Sequence, residues 1–423
     1  MADQLKKPTI GLVLPGGGAR AAYQVGVLRA IGEMLPHGAP TPFRVITGTS
    51  AGAINATVLA SHANHFQLGV RRLNHVWGNF STGHVFRDDW STVLRTSLHW
   101  LSALALGGLR SNNPTSLLDN APLRELLLRH VRFERIAAGI ADGALDAVGI
   151  TASGYSSARA VTFFQGAQSL KPWLRPRREG RRESLGVSHL MASTAMPFIF
   201  PAENIDGHFY IDGAVREAAP LSSAVHLGAD RLLVIGSRDE HTRARPAADT
   251  PPPTFGQIAG YMLDTIFLDG LYADLERLTR INQIVGQVPA GTLRKTPWSP
   301  LKRIDTHIIV PSRDVRTIAA RHAREFPRSV RTLLRGVGGF NPGGSQLISY
   351  LLFQSGFCRE LIQLGYTDSM AQRRKLEPFL AGDPVHALEA PDHMLSALSG
   401  QKQRAQTEKS GEADNVSYGG QND

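Results

Sequence analysis

Two short apolar runs near the start of the chain each end in a glycine-rich turn and lead into a helical pattern. The first run, residues 9–14, stops at a proline and three glycines before residues 21–34, whose apolar side chains recur at helical spacing. The second run, residues 43–47, leads through a glycine turn into a helix of small residues over residues 53–61. A strand, turn and helix that repeat in this way predict an α/β fold built on a parallel sheet.

The chain is longer than one hydrophobic core usually supports, since its 423 residues exceed a limit of about 250–300. Further strands are predicted for residues 145–152, 160–164, 209–211 and 231–235. We therefore predict an α/β domain over residues 10–236, a Pro- and Ala-rich linker over residues 237–254, a mostly helical region over residues 255–397 and a disordered tail over residues 398–423.

Composition excludes several classes of protein. Apolar residues make up 42% of the chain and charged residues 19%, which is ordinary for a globular protein. A single cysteine, Cys358, cannot form an intramolecular disulfide, and no Cys/His cluster has metal-ligand spacing. The first residues lack the apolar core of a leader, and the apolar stretch at residues 90–109 is shorter than a membrane span needs. We expect a cytoplasmic protein without a metal site.

The formal net charge of +10 favours contact with anionic surfaces, either phospholipid headgroups or nucleic acid. No zinc-finger or RNP-type motif accompanies the charge, so no nucleic-acid partner is expected. The basic stretch over residues 171–182 is interpreted either as a solvated loop or as a patch that faces an anionic membrane. Leu98, Trp100, Leu101 and Leu104 are interpreted either as a buried helix face or as a lipid-contacting lid.

The turn after the second run matches the G-x-S-x-G pattern of a nucleophile elbow. Gly48 and Gly52 stand two positions on either side of Ser50, where a sharp strand-to-helix turn leaves no room for side chains. A serine in this position stands at a helix N-terminus, whose unpaired N–H groups favour a developing oxyanion. The pattern also arises by chance, but its position directly after an apolar run indicates that Ser50 is a nucleophile.

A second glycine-rich turn, Gly16-Gly17-Gly18, follows the first apolar run. Backbone without side chains can approach a ligand closely and aim several N–H groups into one hollow. Such a hollow suits an oxyanion, but it also suits a dinucleotide, since Gly16, Gly18 and Ala21 satisfy a G-x-G-x-x-G/A pattern. A dinucleotide site also needs an acidic residue at the end of the second strand, where this chain has Thr47. The turn therefore fits a hydrolytic site better.

A third motif, D-G-A, begins at Asp212 after an apolar strand. Taken in chain order, the glycine-rich turn, the serine elbow and the D-G-A motif resemble those of the patatin-like phospholipases. Two further stretches resemble the same family: residues 191–197 (M-A-S-T-A-M-P) ahead of the aspartate and residues 226–230 (H-L-G-A-D) after it. The resemblance covers about residues 10–235 and implies a three-layer α/β core with a parallel sheet.

The resemblance also implies a role for each matched residue. Ser50 is implied as the nucleophile and Asp212 as its sole base, without metal or cofactor. The amides of an oxyanion hole are implied at Gly16, Gly17, Gly18 and Ala51. The residues that shape the motifs are Gly48, Gly52, Arg20 and Gly213.

Two positions depart from the family pattern. Ala21 stands where the family often has a last glycine, and Ala218 where an asparagine often precedes the Pro-Leu pair. The residues themselves leave a histidine base open, because His189, His208 and His226 lie near the motifs. An aspartate can serve as the base where a poorly solvated pocket raises its pKa from about 3.9.

We therefore expect hydrolysis of an ester through an acyl-Ser50 intermediate, with Asp212 activating first the serine and then water. The resemblance implies a phospholipid, a lysophospholipid or another lipid ester as the substrate, with peripheral binding to a membrane as a further option. Three other functions stay open: a nucleotide-binding oxidoreductase, a lipid-binding regulator, and an acyltransferase that uses the same site.

Overall fold

A ten-stranded sheet forms the centre of the protein. The structure is a computed structural model that describes residues 7–87, 116–237, 252–289, 301–336, 338–341 and 344–383. In chain order the strands are β1 Ile10–Leu14, β2 Val45–Thr49, β3 Ala147–Gly154, β4 Ala160–Gly166, β5 Trp173–Leu174, β6 Arg178–Arg182, β7 Glu203–Ile205, β8 His208–Asp212, β9 Arg231–Ile235 and β10 Asp305–Ile309.

Helices account for most of the remaining described residues. They are α1 Ala22–Met34, α2 Ala51–Ala60, α3 Phe66–Gly78, α4 Ala121–His130, α5 Glu134–Ala141, α6 Val187–Thr194, α7 Leu221–His226, α8 Phe255–Asp264, α9 Gly270–Gln287, α10 Val315–His322, α11 Arg328–Gly336, α12 Ser345–Leu351, α13 Ser355–Ala371 and α14 Arg373–Ala381. A π-helical turn, Thr265–Asp269, connects α8 to α9. The lid residues 98–104, most of the linker and the whole tail at 398–423 lie outside the described residues.

The strand order is β10-β9-β1-β2-β3-β4-β6-β5, and β8 pairs with both β3 and β7. All neighbours from β10 to β3 are parallel, whereas β3 and β4 are antiparallel. The predicted α/β fold with a mostly parallel sheet is therefore confirmed. The chain order reverses at β1, which lies between β9 and β2, and ligands of open α/β sheets bind beside such a reversal.

The central strands are buried along their whole length. Every residue of β1, β2 and β3 is buried, as in parallel sheets that are covered on both faces. This is why these strands appear in the sequence as continuous runs of apolar and small residues. β10 was not predicted, because Asp305-Thr306-His307 gives it too few apolar residues; it pairs with β9 in parallel.

Helix α13, in the later part of the chain, packs directly on α1. A Cβ atom at Gly26 of α1 would lie 1.9 Å from the backbone oxygen of Ile362 in α13, and one at Gly365 would lie 2.2 Å from that of Tyr23. Each glycine thus lets the other helix's backbone approach closely. The hydrogen bond from the Tyr23 hydroxyl to Asp368, 2.9 Å long, joins the same two helices.

Gly26→Ala is expected to destabilise the protein by roughly 3 kcal/mol, because the backbone of α13 cannot yield to a side chain as a flexible residue could. Gly32→Ala in the same helix is the matched control, since a Cβ atom there would meet no atom closer than 3.7 Å. That substitution should be neutral or stabilising by up to about 1 kcal/mol through helix propensity. Urea unfolding of both variants measures the difference, and equal stabilities would contradict the close packing of α1 on α13.

Candidate active site

Ser50 occupies a strained turn between β2 and α2. Its backbone angles, φ 55° and ψ −131°, lie in a region that residues with side chains rarely adopt. A Cβ atom at Gly48 would lie 2.4 Å from the Gly52 carbonyl oxygen, and one at Gly52 would lie 2.1 Å from that of Leu14. Neither position admits a side chain, which is the steric reason for the two glycines. Ser50 therefore stands at the N-terminus of α2.

The strand β3 brings Asp212 beside the serine. Thr49, the last residue of β2, pairs with Thr151 of β3. The next residue of β3, Ala152, pairs with Asp212, the last residue of β8. β2 and β8 thus lie end to end along one side of β3, and they meet where Ser50 follows β2. The register of β2, β3 and β8, rather than any local turn, brings the serine elbow and the D-G-A motif together.

Asp212 is buried, with 1% of its surface exposed. Its Oδ1 accepts a hydrogen bond of 3.0 Å from the Ala214 amide, while Oδ2 has no partner of ordinary hydrogen-bond geometry among the described residues. Loss of solvent raises the pKa of Asp212 to about 7, although the Ser50 hydroxyl and the Ala214 amide lower it, and the charge of Glu217 raises it further. A carboxylate with this pKa is a much better base than an exposed aspartate.

Sequence patterns did not identify Ser193 and Glu217, which hold the elbow in place. The amide of Ser50 donates to the Ser193 hydroxyl at 2.9 Å, and that hydroxyl donates to the Thr151 carbonyl at 2.7 Å. The Thr49 hydroxyl donates to the carboxylate of Glu217, whose pKa is raised by burial. The Ser50 amide is therefore engaged and cannot serve an oxyanion. Ser193 lies inside the M-A-S-T-A-M-P stretch, which was the available signal; Glu217 had none.

The glycine-rich loop packs against the serine. A Cβ atom at Gly16 would lie 3.0 Å from the Cβ of Ser50 and 2.6 Å from the ring of Phe267. Gly18 has φ 54°, and a Cβ atom there would lie 2.3 Å from the Tyr350 backbone oxygen. The loop backbone is thus close enough to Ser50 to contribute amides to its reaction. Protein atoms fill the space beside Gly16 and Gly18, where a dinucleotide would have to approach the loop. This favours a hydrolytic site over a dinucleotide site.

Arg20 of the same motif ties the loop to the later helices. Its guanidinium pairs with Asp264 at 3.1 Å, donates to the Tyr350 hydroxyl at 3.1 Å and to the Ser349 hydroxyl at 2.9 Å. It also lies 3.8 Å from the centre of the Tyr350 ring, within the range of a cation–π contact. Residues from α8 and α12 therefore complete the surroundings of the first motif, a contribution that the sequence did not indicate.

The candidate histidine bases are engaged elsewhere. His189 hydrogen-bonds with Glu183 through Nε2 at 3.0 Å and with the Gly186 amide through Nδ1. His226 hydrogen-bonds with the Ser222 carbonyl at 2.8 Å and stacks on Trp173. His208 is exposed at the start of β8, at the opposite end of that strand from Asp212. The geometry thus favours an aspartate over a histidine as the partner of Ser50.

An apolar pocket adjoins the serine. Ser50, Ala51 and Gly18 form part of its wall, and most of the rest comes from α2, α3, α4 and the segment around Tyr350. Its large side chains are Ile54, Val58, Leu73, Val76, Trp77, Phe80, Val85, Leu123, Leu126, Leu127, Val131, Met196, Phe200, Leu351 and Phe353. Arg72 and His130 also line it. The pocket offers an apolar group a place next to the Ser50 hydroxyl.

The basic stretch forms the edge of the sheet. Arg181 donates to Glu179 and to the Tyr210 hydroxyl, and Arg182 donates to the carbonyls of Gly166 and Ala167. These two arginines therefore have structural partners within the fold. In the described part of the chain, no helix is long and apolar enough to cross a bilayer. The same residues contain no cluster of three acidic, His or Cys side chains arranged to hold a metal ion.

Comparisons with known proteins agree on one family. The family model for patatin-like phospholipases matches residues 12–225, about half of the chain. Lysophospholipase nte1 of Aspergillus terreus is 34% identical over 102 residues, which cover 20% of this chain and 6% of that protein. Patatin-like phospholipase domain-containing protein 7 of Mus musculus is 39% identical over 71 residues, 17% of this chain and 5% of that protein. The chain thus matches only about a twentieth of the length of these curated relatives.

Among solved structures, human GIVD cytosolic phospholipase A2 aligns with 90% of this chain and 61% of its own, at 10% identity and a TM-score of 0.41. The segment matched by the family model contains the glycine-rich loop, the elbow at Ser50 and the motif at Asp212. The protein therefore belongs to the patatin-like phospholipase family.

Proposed function

We propose that this protein is a lipid acyl-hydrolase in which Ser50 and Asp212 form a catalytic dyad. One observation carries the proposal: a serine in a strained turn at a helix N-terminus lies beside a buried carboxylate whose pKa is about 7. Burial makes that carboxylate basic enough to accept the proton of a hydroxyl at neutral pH. Ser50 would serve as the nucleophile and Asp212 as its base. The apolar pocket beside Ser50 suits an acyl chain.

The reaction has two halves. Asp212 takes the proton of Ser50 as the serine oxygen attacks the ester carbonyl, and the negative charge that forms on the carbonyl oxygen is stabilised by amides of Gly17, Gly18 and Ala51. The intermediate collapses to an acyl-serine, and Asp212 returns the proton to the departing alcohol. Water then attacks the acyl-serine with its proton passing to Asp212, and the fatty acid leaves as Ser50 regains a proton.

The family and the pocket together support a lipid ester as the substrate. The relatives are described as lysophospholipase and as phospholipase domain-containing proteins. The pocket wall is built from aliphatic and aromatic side chains, which favour burial of a hydrocarbon chain over a polar acyl group. We propose that residues 10–236 form the catalytic domain and that the following, mostly helical region contributes Phe267 and Tyr350, which pack on the glycine-rich loop beside its site. We also propose a cytoplasmic location with reversible attachment to membranes.

Labelling with a fluorophosphonate probe tests the proposed function, because only an activated serine reacts with it. We expect a single label on Ser50 and release of fatty acid from a phospholipid or lysophospholipid. A lipid-binding regulator would bind vesicles but release no fatty acid, and an acyltransferase would prefer an added alcohol to water as the acceptor. Failure of the folded wild-type protein to label, both with and without phosphatidylglycerol vesicles, would refute the dyad.

The activity is expected to rise with pH and to level off above about 7. Only the ionised form of Asp212 can accept a proton, and burial raises the pKa of this group to about 7. Below that pH, kcat/KM for a soluble short-chain ester should fall about tenfold per pH unit, since one protonation inactivates the free enzyme. An acid limb centred near pH 4, the ordinary range for aspartate, would show that Asp212 is not the base.

A further inference from the structure

Helix α8 presents an apolar face to solvent. Phe255, Ile258, Tyr261 and Met262 lie three or four residues apart and are between 46% and 70% exposed. No charged residue occurs between Thr254 and Leu263. The opposite face packs through glycine: a Cβ atom at Gly260 would lie 2.9 Å from the Leu347 amide nitrogen of α12. The helix thus buries Gly256, Gly260 and Leu263 and exposes its other four large apolar residues, unlike an ordinary surface helix.

A basic helix adjoins this apolar face. The loop after α11 contacts the start of α8, where the Thr254 hydroxyl donates to the Gly338 carbonyl at 3.5 Å. Arg324 precedes α11, and Arg328, Arg331 and Arg335 lie within it, while residues 326–345 contain no acidic side chain. Arg324, Arg328 and Arg335 are exposed and form no ion pair with the described residues. An apolar face and a basic helix on connected elements of the fold are complementary to an anionic lipid surface.

The π-helical turn at the far end of α8, called the cover, lies beside the glycine-rich loop that flanks Ser50. The helix continues without a break into the π-helical turn, and Phe267 of that turn packs on Gly16, the loop residue next to Ser50. The ring of Phe267 is 5% exposed and stacks on Tyr350 with their centres 5.3 Å apart. Single π-helical turns are frequent at functional sites. Ser50 itself is only 4% exposed, so a lipid headgroup cannot reach it while this cover is in place.

The contact that holds the cover is imperfect. Asp264, the last residue of α8, pairs with Arg20, but Nη2 of that arginine is buried without a partner among the described residues. A buried donor without a protein partner stabilises the closed arrangement less than a paired one would. An open arrangement that restored water to this nitrogen would recover part of that loss, so the two arrangements need not differ greatly in free energy.

From these contacts we propose that the face formed by Phe255, Ile258, Tyr261 and Met262, together with the arginines of α11, docks on an anionic phospholipid bilayer, and that docking draws Phe267 away from Ser50. This regulation rests on the proposed function, because it controls access to the same serine. A bilayer fits better than a second copy of this chain, since a symmetric pairing through this face would bring the arginines of both α11 helices together. Docking shifts the equilibrium between the closed and open arrangements if the bilayer binds the open one more tightly. The proposal is that the apolar side chains of α8 enter the bilayer more fully in the open arrangement.

The docking face is tested by the triple substitution Ile258→Gln, Tyr261→Gln and Met262→Gln in the full chain. We expect at least a tenfold loss of binding to phosphatidylglycerol vesicles and of fatty acid release from them, with turnover of a soluble short-chain ester unchanged. The matched control is Leu68→Gln, Tyr155→Gln and Ile284→Gln, three apolar residues that are similarly exposed elsewhere; it should bind as the wild type does. Equal vesicle binding by both triple variants would overturn the proposal.

Three further measurements distinguish an anionic bilayer from a second copy or another segment of this chain. Arg328→Gln with Arg335→Gln should weaken binding to phosphatidylglycerol vesicles about tenfold at low salt and leave the weaker binding to phosphatidylcholine vesicles unchanged. Light scattering reports a second copy: a triple variant that turns from dimer to monomer would assign the face to self-association and overturn the proposal. Thermal unfolding reports cover by another segment of this chain: a large fall in Tm of the triple variant would likewise overturn it.

The cover is tested separately by Phe267→Ala. We expect this variant to react with a fluorophosphonate probe several-fold faster than the wild type without vesicles, and to gain little when vesicles are added. Wild-type labelling should rise by at least the same factor on addition of phosphatidylglycerol vesicles. The same vesicle stimulation in both proteins would show that Phe267 is no cover. Ser50→Ala should still bind vesicles, so a failed dyad leaves the docking measurement intact, and a failed docking face leaves the labelling intact.

Discussion

Ser50→Ala is expected to abolish ester hydrolysis and fluorophosphonate labelling while leaving the protein folded. In the proposed mechanism the hydroxyl is the attacking group, and its removal leaves no nucleophile at the turn, so the loss should reach about four orders of magnitude or more in kcat. Alanine keeps the small size that the turn between Gly48 and Gly52 requires. Initial rates with a lysophospholipid, together with circular dichroism of the variant, measure the two parts of this expectation.

Ser61→Ala is the matched control for the loss of a buried hydroxyl. Ser61 directly follows α2, is also buried, and donates to the Val58 carbonyl at 2.8 Å. This variant should keep activity close to that of the wild type, since only a local hydrogen bond is lost, at a cost of about 1 kcal/mol of stability. If Ser50→Ala retained more than a few per cent of the activity, the nucleophile would have to be another residue.

Asp212→Asn should be as inactive as Ser50→Ala. One base serves both half-reactions, and losses within such a pair are not additive. The double variant should therefore be no slower than either single variant, and a much slower double variant would contradict a dyad. Asparagine can still accept the hydrogen bond from Ala214 but cannot take a proton. Asp206→Asn, an exposed carboxylate in the turn before β8, is the matched control and should leave the rate unchanged.

Asp212→Asn should also be more stable to unfolding than the wild type at neutral and alkaline pH. The pKa of Asp212 is raised from 3.8 to about 7 in the folded protein, so folding favours the protonated form. The cost of holding the ionised form is absent below about pH 4, grows as pH rises through the interval up to about 7, and is complete above it. Each pKa unit corresponds to about 1.4 kcal/mol. The Tm difference between Asp212→Asn and the wild type should therefore increase from pH 4 to pH 8; a constant difference would argue against an ionised buried Asp212.

The free-energy cost of an ionised, buried Asp212 and the strained backbone of Ser50 occur in the same site. A charge held in a buried place and a residue held at positive φ both oppose folding, and the surrounding network offsets them. Ser193 and Glu217 anchor the turn from two sides through the Ser50 amide and the Thr49 hydroxyl. The proposed function thus depends on groups that do not react but keep two unfavourable arrangements in place.

Local patterns in the sequence predicted the elbow and six of the ten strands of the sheet. β9 has the predicted bounds, 231–235, and the other predicted strands agree to within a few residues. These elements depend on a few consecutive residues: an apolar run buried in a parallel sheet, or a turn so tight that only glycine fits at positions 48 and 52. Such requirements are visible in one short window of sequence, which is why no knowledge of the remaining chain was needed.

Contacts between distant parts of the chain were decided only by the tertiary structure. No local pattern indicated that Asp212 would pair beside Thr49 through β3, or that β10 would extend the sheet. No local pattern indicated the packing of Phe267 on Gly16 either. The apolar face of α8 points outward, whereas its periodic pattern would predict that it points inward. The sequence by itself determined which residues could react and the turns that carry them. The packing of the whole chain decided their partners, their burial and the basicity of Asp212, because solvent exclusion depends on every element that surrounds a group.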